Sequence, residues 1–357
     1  MEARLRWLGL GIVGLVATLF AAAPVDAQGS LTLRDRLLIA SSPSTEAVAR
    51  MLAGGFADRY EGAQQPHLEV AGTQLGFERF CSGLGPETPD FLLVTRRMPR
   101  MIVEHCEANG VADIVEVRLG YGAIVLATRR GDIAPVLSSR HLYEALAAER
   151  TDGTAFSGNT ATNWADVDAS LPRREIRVLV PDTGSGLRAL MEDLILEGGC
   201  REVRPIRLLF EAAYRRAKCI TLRTDGHVTA VPSDGLVAAL LSAPPGTIAV
   251  MSIDQLLRSG GNLLPLSLDG VLPGAASIMA LDYNQSQTKY LYAKRQHSQT
   301  RHGVGVVRGI RELLAEATSE QASGPGGYLT GAGLLPLSPA DRTAQRRIAD
   351  RMTLRSR

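Results

Sequence analysis

The sequence predicts an α/β chain with a parallel or mixed sheet and helices on both of its faces. Short apolar runs of strand length alternate with segments of helical apolar spacing. Polar Gly/Ser/Thr turns recur where a strand gives way to a helix, and no internal repeat or low-complexity tract interrupts the alternation.

The first thirty residues stand apart from that pattern. Arg4 and Arg6 form a basic segment, Leu8 to Ala23 an apolar one, and Val25-Asp26-Ala27 fits the small-x-small cleavage rule. The apolar run is shorter than the roughly twenty residues a membrane span needs, and no Cys follows it to carry a lipid. We expect a signal peptide over residues 1–27, cleaved after Ala27, and an exported, soluble mature chain. The remainder is long enough for two lobes.

Leu37 to Ala40 reads as a buried strand, Ser41 to Thr45 as a turn, and Glu46 to Tyr60 as a helix with Ala47, Val48, Met51, Leu52 and Phe56 at helical spacing. His67 to Ala71 is a second strand, and Gly72-Thr73 opens a short helix through Phe77 and Phe80. Asp90 to Val94 is a third strand ending at Thr95-Arg96-Arg97, and Arg118 to Arg129 a long apolar one. His141 to Glu149 is helical. Val178 to Val180 runs into Pro181-Asp182-Thr183-Gly184-Ser185-Gly186, followed by an amphipathic helix from Arg188 to Glu197. Further on we expect a helix at Asp234 to Leu241, a strand at Thr247 to Met251, extended segments at Asn262 to Ser267 and Ser277 to Leu281, and a helix at Arg308 to Ala317. Gly324 to Gly327 is a break, and the Arg-rich end a solvated terminal helix.

Composition excludes some functions. Lys and Arg number 39 against 37 Asp and Glu, a net charge of +2 that gives no basis for nucleic-acid binding. The four cysteines, Cys81, Cys106, Cys200 and Cys219, are an even set in an exported chain, which suggests disulfides between sequence neighbours, although three pairings are open. Zinc is the competing reading. It is weak, because no C-x-x-C occurs and no His stands at ligand spacing to a Cys. No cofactor and no metal are expected.

The stretch Asp182-Thr183-Gly184-Ser185 admits two chemistries. An aspartic protease would need a second such motif, since its two carboxylates share one proton. The other Asp-Gly candidates, such as Asp225-Gly226 and Asp234-Gly235, lack the hydroxyl residue between. A Gly/Ser turn entering a helix instead presents backbone N–H groups, the positive end of a dipole and a hydroxyl to an anion. The turns before the first two helices repeat that chemistry, and Arg96 and Arg97 add guanidinium groups. A hydrolase is disfavoured, and no reaction is expected.

The order of these turns, with GFERFCSG, PDFLLVTRRM, EHCEANG, NWADVDASLPRREIRVLVPDTGSG, PPGTIAVM and GYLTGAGLLPL, resembles the exported phosphate-binding proteins of ABC transporters from about Leu37 to Pro336. The resemblance implies a two-lobed periplasmic-binding-protein fold of the type II, Venus-flytrap kind, each lobe a mixed sheet flanked by helices. It puts one lobe at residues 28–120 plus 249–345, the other at 121–248, and a tail at 346–357. It implies capture of inorganic phosphate or a related tetrahedral oxyanion, delivery to ABC permease subunits, and a monomer in the periplasm. The alternative is a relative acting as a sensor or envelope interaction partner, with weak or lost anion binding.

Carried over, the first contact falls on Thr45 in the turn with Ser44, the second on Thr73, the third on Thr95 and Arg96, and the fourth on Ser185 and Gly186. Leu187 stands where the family has Thr, and Pro181 where many members have Arg, for which Arg188 or Arg96 could substitute. Asp182 is the candidate for a carboxylate that accepts the proton phosphate carries and sulfate lacks.

Overall fold

The protein is described from a computed structural model over residues 36–151, 155–299 and 307–355. The expected signal peptide lies outside the described residues. Among the described residues there are twelve strands: β1 (Leu38–Ser41), β2 (His67–Val70), β3 (Phe91–Val94), β4 (Ile114–Arg129), β5 (Glu149–Thr151), β6 (Phe156–Gly158), β7 (Val178–Pro181), β8 (Val228–Val231), β9 (Ile248–Ser252), β10 (Leu263–Leu266), β11 (Ser286–Lys294) and β12 (Leu335–Pro336). Ten of them make one mixed sheet, in which the order β2-β1-β3-β11-β4-β9-β7-β8 forms the main path and β10 and β12 pair with β4. β1 is parallel to β2 and β3, and β7 to β8 and β9, whereas β11 runs antiparallel to both β3 and β4.

The sheet serves two separate cores. In the first, Leu37, Leu52, Phe56, Val117, Leu291 and Leu313 pack together between the strands, helix α1 (Glu46–Arg59) and the later helix Ile310–Ala317. The apolar spacing of α1 puts Val48, Leu52 and Phe56 on its buried side. Phe77, Phe80, Met98 and Tyr292 form a smaller cluster beneath α2 (Thr73–Phe80) and α3 (Arg100–Ala108). In the second core, Ile124 to Ala127 of β4 meet Trp164, Val178, Ile195, Val250 and Tyr283.

β4 therefore passes from one core to the other near Gly120, buried along most of its length. Ala249, where sequence placed the return, packs in the second core, as do Leu268, Ile278 and Tyr283; the chain re-enters the first at Leu291 on β11. The helices α4 (Ser139–Leu146), α5 (Trp164–Val167) and α6 (Gly186–Leu190) belong to the second half, and α6 continues through a π-helical turn, Met191–Leu196, to Glu202.

Two expectations fail. Ser277 to Leu281 is not extended: Ala275–Met279 is a helix, because an apolar run of this length fits either conformation and packing decides. The C-terminal segment forms the expected helix, but its inner face is not solvated. The helix Pro339–Arg351 buries Ala349, Met352 joins the first core, and Arg355 pairs with Glu116 at 3.0 Å. Disulfides link Cys81 to Cys106 and Cys200 to Cys219, the neighbour pairing.

Candidate functional site

A cleft of about 470 Å³ lies where the turn after β1 meets the turn after β7, lined by Ser44, Ser185, Gly186, Asp234, Asp254 and Lys289 among others. The first wall is built by Ser42 to Thr45. Thr45 is fully buried, and its hydroxyl donates to the Leu93 carbonyl at 2.7 Å while sitting 2.9 Å from both the Ser41 and Ser42 hydroxyls. That side chain ties the turn to β3 and does not face the cleft. Ser44, half-buried, does line it.

The opposite wall is the Asp182–Gly186 turn, with Gly184 in the left-handed region at φ +86°. The Ser185 hydroxyl accepts from the Arg188 backbone N–H at 3.2 Å and donates to the Asp182 carbonyl at 2.9 Å, an N-cap for α6. Asp182 Oδ1 accepts from the Ser233 hydroxyl at 3.2 Å and lies outside the cleft lining. Arg188 is buried, its Nε donating to Glu192 at 2.7 Å one turn along the helix. The expected substitute for a missing arginine is thus spent on an internal ion pair.

The two walls touch. A Cβ on Gly186 would stand 2.0 Å from the Pro43 carbonyl oxygen and 2.8 Å from its carbon, so only glycine permits this approach.

Sequence reasoning missed Lys289, which rises from β11 at the floor of the cleft. It is 4% exposed, and its ammonium donates to the Ser44 carbonyl at 3.1 Å. Burial pushes its pKa down to about 8, with Asp254 opposing the shift. Gly122 makes room for it: a Cβ there would lie 3.1 Å from the lysine Cε. Glu46 pairs with Arg50, and Asp254 with Arg258, within their own helices. Lys289 is consequently the one cation of the lining, among the described residues, that is not in an ion pair. An ammonium with a single hydrogen bond has donors left over for an anion.

Thr73, Thr95 and Arg96 are brought together elsewhere, in a separate pocket on the α2 side of β11. The nine candidates therefore divide: Ser44, Ser185 and Gly186 line the Lys289 cleft, Thr73, Thr95 and Arg96 the second pocket, and Thr45, Asp182 and Arg188 neither. Among the described residues, no helix is long and apolar enough to cross a membrane.

The chain matches the PBP superfamily domain over residues 26–321. Among solved structures it is similar to a possible phosphate binding protein from Planctomyces limnophilus DSM 3776, with 16% identity and a TM-score of 0.65 over 90% of this chain and 100% of that one. It is also similar to PstS from Borrelia burgdorferi, with 14% identity and a TM-score of 0.54 over 85% and 100% of the two chains. An ABC-type phosphate transport receptor from Vibrio cholerae gives 14% identity and a TM-score of 0.52 over 84% and 100%. No curated protein matches. At these identities the likeness is one of fold, and it is the two-lobed fold of periplasmic binding proteins.

Proposed function

This chain belongs to the PBP superfamily, and we propose that it is an exported solute-binding protein that captures inorganic phosphate, or a related tetrahedral oxyanion, and presents it to the membrane subunits of an ABC importer. On this reading it is a periplasmic monomer whose signal peptide is removed after Ala27. Binding is non-covalent and carries no reaction. The lobes are the two halves around the two cores, 36–120 with 286–355 and 121–285, with β4 and β11 as the strands that join them, and closure of the cleft is the conformational step.

The observation that carries the reading is Lys289: a buried ammonium with donors to spare, between two turns that each open a helix. Ser44, Ser185 and Gly186 supply the neighbouring donors. Asp182 lies outside the lining, so the acceptor that tells protonated phosphate from sulfate falls to Asp234 or Asp254, which line the cleft. Titration calorimetry of the ligand-free mature chain with phosphate and then sulfate, at pH 7 and 8.5, tests this. Heat with phosphate and none with sulfate is expected.

One observation favours the second reading, an envelope sensor or interaction partner with lost anion binding. The Thr45 hydroxyl is spent on the Leu93 carbonyl of β3 and the Ser185 hydroxyl on its own turn, and three carboxylates, Glu46, Asp234 and Asp254, line the same cleft. No heat with either ion would put that reading first.

A further inference from the structure

The helices Arg204–Arg207 and Ala212–Ile220 lie in the second half, in a segment closed at its base by the Cys200–Cys219 bridge. Val203 and Ile206 are buried with the two cysteines, and Leu209 packs against them, so the inward positions recur every three residues. Those side chains fill the core on this side and leave the other apolar ones outside it. Leu208 is 70% exposed, Tyr214 47%, and Phe210 stands wholly clear at 103%. Single exposed apolar residues are ordinary on a protein surface, but several together mark a contact. Their backbone is well held. The Arg215 guanidinium donates to the Leu209 carbonyl at 2.8 Å, and the Glu211 carboxylate caps the second helix by accepting from the Ala213 and Tyr214 backbone N–H groups.

The same segment is basic. Residues 201–218 hold six arginines and lysines against two glutamates, in a chain whose net charge is only +2. Some of that charge is answered within the fold: Arg201 pairs with Glu197, Arg216 with Asp193 and Glu197, and Lys218 with Glu149. Arg204 and Arg207 are different. Both are exposed, and neither guanidinium makes a hydrogen bond or ion pair with a described residue. Unpaired positive charge and unburied apolar surface therefore coincide in residues 204–214. None of these residues lines the Lys289 cleft.

We propose that residues 204–214 dock on an anionic lipid surface. Phe210 and Leu208 enter the interface between the headgroups, and Arg204 and Arg207 meet the lipid phosphates. Charge complementarity selects the occupant, since arginines without a partner in the chain suit a surface of fixed negative charge. The exposure of Phe210 then favours a bilayer over an acidic protein. A protein would have to supply a matching pocket for a side chain that stands clear of its own surface, whereas a bilayer interface admits one anywhere. Attachment of this kind grows with buried apolar area and with attraction to anionic lipid, and it is reversible. It leaves the Lys289 cleft uncovered by these residues. The inference goes beyond solute capture and does not rest on it.

The experiment is co-sedimentation of the mature chain with vesicles of phosphatidylcholine alone and of phosphatidylcholine mixed with phosphatidylglycerol. It is repeated with Phe210→Ser and with the double variant Arg204→Gln/Arg207→Gln. Binding is expected to the phosphatidylglycerol vesicles only, and it should fade as salt is raised. The double variant should lose about fivefold in affinity for each arginine, and F210S about tenfold or more. The three side chains are exposed, so thermal unfolding of the variants should match that of the unsubstituted chain. Equal binding to both kinds of vesicle, or unchanged affinity in either variant, would overturn the proposal. So would no binding to the anionic vesicles, which would pass the surface to an acidic protein partner. Phosphate calorimetry of F210S should match the unsubstituted chain, and absence of heat in both would count against the Lys289 reading alone.

Discussion

Replacing Lys289 by methionine should make the empty protein more stable and blind to phosphate. Burial lowers the lysine pKa from 10.5 to about 8, and that difference corresponds to a penalty on the buried ammonium of roughly 3 kcal/mol at neutral pH. At pH 7 the lysine is protonated in both the folded and unfolded chains, so the whole penalty is present. As pH rises from about 8 toward 10.5 the folded chain sheds its proton first, and the stability of the unsubstituted protein climbs. Methionine keeps the length of the apolar stem and removes the charge, at the loss of the hydrogen bond to the Ser44 carbonyl, worth about 1 kcal/mol. The expected net gain at pH 7 is about 1–3 kcal/mol, shrinking toward zero near pH 10. Urea unfolding of both proteins at pH 7 and pH 10 measures it, and calorimetry with phosphate measures the lost binding. In the unsubstituted protein, phosphate affinity should also decline above about pH 8, where the empty site loses its proton. A K289M protein that is less stable at pH 7, or that binds phosphate as before, would refute the reasoning.

Two further substitutions separate contact from cap. Gly186→Ala places a Cβ against the Pro43 carbonyl, which must retreat by about 1 Å to reach even a tight contact of 3.0 Å; local helix propensity gains up to about 1 kcal/mol, while the cost of forcing the walls apart, about 1–3 kcal/mol, should appear as a five- to hundredfold loss of phosphate affinity by calorimetry. Thr45→Val removes one of two donors to the Leu93 carbonyl, which keeps the Ser42 backbone N–H at 3.0 Å, and takes a partner from the buried Ser41 and Ser42 hydroxyls; it should lower thermal stability by about 1–2 kcal/mol with phosphate affinity nearly unchanged, since the hydroxyl does not face the cleft, and a selective loss of binding in T45V would show that it does.

The turns were legible because their chemistry is local. Gly/Ser residues between an apolar strand and a helical spacing announce themselves within ten positions, and Ser44, Ser185 and Gly186 could be picked out that way. What a hydroxyl does once there is not local. Thr45 after a strand looks the same whether it reaches a ligand or the carbonyl of Leu93, a contact 48 residues away in the chain. Lys289 was invisible for a related reason. Ser286–Lys294 opens on four polar residues, Ser286 to Lys289, ahead of the short run Tyr290 to Ala293, so the polar half of β11, Lys289 included, went unread. The lysine is buried only because Gly122, far off in the chain, leaves space for it. The misread Ala275–Met279 segment has the same origin: five residues, apolar but for Ser277, fit a strand or a helix until neighbours choose.

The placement of the two disulfides has a mechanical consequence. Cys81–Cys106 clamps α2 to α3 beside the first core, and Cys200–Cys219 clamps the end of the α6 helical run to the helix Ala212–Ile220 beside the second. Each bridge closes a loop inside one half, and neither crosses to the other. Oxidative folding can thus harden the halves one at a time, with no covalent lock across the gap. Any rocking between them is left to bend β4 and β11, where Lys289 pairs with Gly120 and lays its side chain against Gly122.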